Sequence, residues 1–87
     1  MAKDDQPEWV RQHRREVGER IGQARRRRGL TQEQLAEQLS VDSKTISRAE
    51  NGWHSIGLDL VAWIAHALEV PSGDLLPRDR PPGPAGG

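Results

Sequence analysis

The 87-residue sequence predicts an all-α fold, a compact five-helix bundle with a long first helix. Three observations predict it. Apolar residues recur at spacings of three, four and seven, the period of a helix with one buried face. Helix-starting and helix-stopping residues flank each apolar stretch. The connecting segments are short, which makes consecutive helices pack as neighbours.

The first helix is predicted over residues 8–28, with Val10, Val17, Ile21 and Ala24 on its inward stripe. Gly29 stands where a left-handed residue ends a helix. Thr31-Gln32-Glu33-Gln34 reads as a capping box, in which Thr31 accepts from a free amide and Gln34 reaches back to the cap. It opens a second helix, residues 32–39, that buries Leu35, Ala36 and Leu39. Ser40 and Val41 form a tight turn, and Asp42 caps a third helix over residues 43–51, with Ile46 and Ala49 inward. Gly52 ends that helix. A loop holding Trp53, His54 and Ser55 leads to a fourth helix, residues 58–69, whose core stripe is Leu58, Val61, Ile64, Ala65 and Leu68. Ser72 caps the fifth, a short turn through Asp74, Leu75 and Leu76 that Pro77 stops.

Residues 1–9 read as a flexible lead-in and residues 10–76 as the folded domain. Residues 77–87 hold four of the six prolines and no large apolar side chain, so a disordered tail is predicted. The longest apolar run, Leu60 to Ala65, is far short of the about 20 residues of a membrane span. The N-terminus lacks the apolar stretch of a secretory signal, so a soluble, cytoplasmic chain is expected. There is no cysteine, which excludes disulfides, thiolate metal sites and a thiol nucleophile. His13, His54 and His66 have no metal-ligand spacing, and neither a glycine-rich phosphate loop nor a nucleophile–base set is present. No enzyme, metal or cofactor is therefore expected.

The formal net charge is zero, but the charge is unevenly distributed. Residues 11–48 carry ten bases against five acids, and the remainder carries the opposite excess. Such an asymmetry is read either as one basic face, as phosphate binding requires, or as a solvated face of mixed charge.

The second and third helices, with the turn between them, form a helix-turn-helix. The run Gly18-Glu19-Arg20-Ile21, Arg25, Gly29-Leu30-Thr31-Gln32-Glu33-Gln34-Leu35-Ala36, Leu39-Ser40-Val41 and Thr45-Ile46-Ser47-Arg48-Ala49-Glu50-Asn51-Gly52 closely resembles the lambda-repressor/Cro-like (XRE-type) helix-turn-helix family. The resemblance extends over about residues 17–76. It implies a DNA-binding transcriptional regulator whose third helix enters the major groove. With Ile46 and Ala49 inward, the base-contacting face is Ser43, Lys44, Ser47 and Arg48. The resemblance further implies backbone contacts from Gln32, Thr45, Asn51 and His54, with Trp53 facing the same strand. It also implies an ion pair between Arg25 and Glu50 that locks the third helix to the first. Three positions depart from the family pattern. Ser40 stands where glycine is usual, Asp42 puts a negative charge at the groove, and Gly57 replaces a polar cap.

The fourth helix carries a second apolar stripe, Leu60, Trp63 and Ala67. Its cover is the first helix near Trp9 and Val10, a second copy of the chain, or another protein. A homodimer on double-stranded DNA, acting as a repressor, is the favoured reading. The alternative is an antitoxin or other interaction protein that binds a partner protein through the Trp63 stripe and autoregulates its operon.

Overall fold

The computed structural model describes residues 6–77. Among them are four α-helices, α1 (Glu8–Arg27), α2 (Gln32–Leu39), α3 (Ser43–Asn51) and α4 (Leu58–Leu68), then one 3-10 turn, Ser72–Leu75, and no strand. The bundle thus has one α-helix fewer than the sequence predicts. Pro71 and Pro77 bracket the last segment, which is too short to nucleate an α-helix and closes a tighter turn instead. Pro71, rather than Ser72, holds the cap position of that turn. The first helix starts at Glu8, where its predicted bounds put it, and so takes in the last two residues of the stretch also read as lead-in. Residues 1–5 of the lead-in, and the predicted tail beyond Pro77, lie outside the described residues.

One core serves all five elements. It joins Val17, Ile21 and Ala24 of α1, Leu35 and Ala36 of α2, and Ile46 and Ala49 of α3. Val61, Ile64, Ala65 and Leu68 of α4, with Leu75, complete it. Val10 and Leu39 are only half-buried. Leu58, predicted to be core, is 78% exposed. It stands on the first turn of α4 above an open groove shared with Trp9, Val10 and Val17. The α1 segment near Trp9 does not cover the Trp63 stripe, and Trp63 is 62% exposed.

Three helices end the same way. At α1, the amide of Leu30 donates to Arg25 O and that of Gly29 to Arg26 O; Val41 and Ser40 repeat the pattern on α2, and Val70 and Glu69 on α4. Each ending needs one left-handed residue. Glycine supplies it at Gly29 (φ 72°), but Ser40 (φ 57°) and Glu69 (φ 59°) supply it elsewhere.

The placement of α3 follows from its crossing with α1. Gly18 lies against the α3 backbone, where an added Cβ would sit 2.7 Å from Ala49 O and closer still to Glu50 O. Gly52, at φ 71°, lies against α1, with a Cβ there 2.6 Å from Arg15 Cα. Two glycines, one from each partner, therefore let the helices touch backbone to backbone.

Candidate nucleic-acid interface

Local chemistry sets α2 and α3 at their angle. The capping box is complete: Gln34 N–H donates to Thr31 Oγ1 at 3.0 Å and Thr31 N–H to Gln34 Oε1 at 2.8 Å. Asp42 Oδ1 accepts from Lys44 N–H at 2.9 Å and so fixes the start of α3. Gly57, at the head of α4, makes no side-chain cap.

Behind α3, Glu50 gathers three donors. Arg25 Nε reaches Oε2 at 2.6 Å and Arg25 Nη2 reaches Oε1 at 3.0 Å, a two-pronged contact that a guanidinium makes and an ammonium cannot. Gln32 Nε2 donates to Oε1 at 3.0 Å. Arg25 Nη1 also donates to Leu30 O at 2.8 Å. The side chains of Arg25 and Glu50 are only 11% and 10% exposed. Hydrogen bonding to Glu50 raises the pKa of Arg25 above its ordinary value, so it stays charged. This network ties α1, the α1–α2 connection, α2 and α3 together.

In front, α3 turns Ile46 and Ala49 inward and leaves Lys44 and Arg48 exposed, with Ser43 and Ser47 half-buried beside them. Lys44, Ser47, Arg48, Asn51, Trp53 and His54 line one concavity of about 320 Å³. Trp53, 73% exposed, is its one large apolar wall. Thr45 lies on the opposite flank, in a second hollow shared with Arg48 and His54 and closed by Ile56 and Leu60. Ser43 faces the crevice between α2 and α3, beside Glu33 and Glu37. Gln32 sits at the head of α2 with one amide proton committed to Glu50 and a second still available to donate. Of the residues predicted to touch nucleic acid, Lys44, Ser47, Arg48, Asn51 and His54 come together in one place.

A helix-turn-helix domain model matches residues 16–78. The chain belongs to the helix-turn-helix domain family. It is of the lambda-repressor/Cro-like (XRE) type that its motifs resemble. This helix-turn-helix chain is similar to the restriction-modification controller protein C.AhdI from Aeromonas hydrophila, at 27% identity and a TM-score of 0.68, over 71% of this chain and 94% of that one. It shares its fold with the DNA-binding domain of BldD, at 20% identity and a TM-score of 0.70, over 76% and 96% of the two chains. Among curated proteins, none matches it at a significant level.

Sequence reading does not find two features of this helix-turn-helix domain. The crossing glycines were legible as a motif residue, Gly18, and as a helix end, Gly52, but not as the two points where the backbones of α1 and α3 meet. The bond from Gln32 to Glu50 depends on how α2 meets α3, which no local pattern encodes.

Proposed function

We propose that this DNA-binding transcriptional regulator acts as a repressor, with α3 in the major groove and two copies on one operator. The observation that carries the reading is the outer face of α3. Lys44 and Arg48 stand free of the bundle on one concavity with Ser47 and Asn51, while the opposite face of the same helix is sealed in the core. Lysine and arginine donors suit guanine O6 and N7, and Arg48 presents two at once. Asn51, His54 and Trp53 follow at the end of α3, at the rim of the groove, where the sugar-phosphate strand runs. The second proton of Gln32 and the free amides at the head of α2 suit a phosphate. Arg25 and Glu50 touch no DNA in this reading; they hold α3 at its angle.

A dimer places two α3 helices one helical turn apart, about 34 Å, and reads an inverted repeat. Operator occupancy then blocks transcription. The test is operator binding by two variants. Arg48→Ala lowers affinity for the selected operator by about 1–3 kcal/mol and relaxes preference at one base pair, whereas Gln32→Ala weakens all sequences alike. Unchanged operator binding by Arg48→Ala overturns the assignment of α3.

A further inference from the structure

We infer that Asp42 is a base-reading residue that selects cytosine at one position of each half-site. The inference rests on the placement of α3 proposed above. Asp42 is exposed, and its Oδ1 is held at 2.9 Å by the Lys44 amide, so the cap bond orients the whole carboxylate. Among the described residues, Oδ2 meets no hydrogen-bond donor and no cation. An ionised carboxylate accepts and never donates. A phosphate facing it would be repelled, whereas an amino group on a base edge would donate to it.

The four bases differ sharply toward such a group. Guanine presents two acceptors in the major groove, and thymine an acceptor and a methyl group. Adenine sets its N7 acceptor beside its amino group, so a carboxylate there gains one contact and suffers one repulsion. Cytosine alone offers an amino donor with no acceptor next to it. Lys44, two residues along and also exposed, suits O6 and N7 of a guanine. The start of α3 thus offers an acceptor for cytosine and a donor for guanine.

Asparagine and serine cap helices about as well as aspartate, so the cap and the reading can be separated. The experiment is selection of bound duplexes from random DNA by the full chain, by Asp42→Asn and by Asp42→Ser, with thermal unfolding as the check on the fold. The expected wild-type operator carries cytosine at one fixed position of each half-site, favoured on the order of tenfold over other bases. Asp42→Asn moves that preference from cytosine to a base that presents an acceptor, because the cap bond keeps Oδ1 and leaves the donating nitrogen of the carboxamide to meet the base. Asp42→Ser loses the preference, and neighbouring positions are unchanged. The inference is overturned if Asp42→Asn enriches the wild-type sequences with cytosine intact, or if no position of the wild-type operator demands cytosine. Should the wild-type chain enrich no sequence, the placement of α3 fails first, and this reading fails with it.

Discussion

Gly18 packs against Ala49 so closely that a methyl group on the glycine would lie 2.7 Å from the alanine carbonyl oxygen. Both neighbours are backbone, so neither can swing aside. Gly18→Ala must push α1 away from α3, and overpacking of this kind costs about 1–3 kcal/mol or more. Urea denaturation of Gly18→Ala checks this. Gly73→Ala, at a position where an added Cβ meets nothing within 4 Å, is the control. It stabilises by about 0.4–1 kcal/mol, by restricting the unfolded chain.

Breaking the ion pair from either side leaves a charge in a nearly closed site. Arg25→Met strands the Glu50 carboxylate with Gln32 as its one remaining donor, and Glu50→Met strands the guanidinium. Each loses about 3–5 kcal/mol, a large share of the total stability of a small domain. The double variant, with neither charge, loses clearly less than the sum of the two. A double-mutant cycle by thermal unfolding measures the difference, and strict additivity would mean that the two side chains do not act together.

The bounds of α2 and α3 were legible residue for residue, because caps are local chemistry. Thr31 with Gln34, and Asp42, declare each helix start within four residues of sequence. What lay beyond reach depends on how helices meet. Leu58 has the spacing of a core residue, yet it is exposed at the edge of the groove it shares with Trp9 and Val10. Glu69 reads as an ordinary helical residue, yet it takes the left-handed position that ends α4. The outer face of α3 was legible through its inward residues, Ile46 and Ala49. That Ser43 turns into the α2–α3 crevice, apart from Lys44 and Arg48, needed the packed structure.

Ser40 and Glu69 hold a left-handed backbone that disfavours a Cβ. Ser40 is exposed and its side chain makes no bond among the described residues, so Ser40→Gly relieves strain without losing a contact. The variant is expected to gain about 1 kcal/mol, a rise in Tm of about 4–8 °C. Glu69→Gly gains less, because Glu69 also receives Arg28 at 2.9 Å in an exposed pair. Differential scanning calorimetry ranks the two. A Ser40→Gly variant no more stable than wild type would remove strain from the account of this turn.

The first turn of α1 responds to acid through Glu8. Arg15 donates to its Oε2 at 3.0 Å and Arg11 to its Oε1 at 3.3 Å. These hydrogen bonds, Arg15 foremost, hold its pKa below the ordinary carboxylate value. The unfolded chain therefore binds the proton at higher pH than the folded one. The stabilisation is complete above the ordinary carboxylate range and disappears as pH falls through the lowered folded value. Backbone chemical shifts of residues 9–12 should titrate there, and Glu8→Gln should abolish the titration. The effect weakens with salt, since the pair is exposed.

Trp63 decides between the two covers left for α4. Leu60 and Ala67 are half-buried against the core, so Trp63 supplies most of the free apolar surface of the stripe. A second copy would bury that indole twice in one symmetric contact, and the same contact would set the spacing of the two α3 helices. Trp63→Glu places a charge there without touching a core residue, so the monomer should fold as before. In sedimentation, the wild-type chain is expected to dimerise with rising concentration and the variant to remain a monomer. Binding to a palindromic operator should fall steeply in the variant, while binding to an isolated half-site is retained. A wild-type chain that stays monomeric at every concentration, free and on DNA, would instead assign the stripe to a different protein and revive the interaction-protein reading, because the Trp63 surface would then have no other claimant.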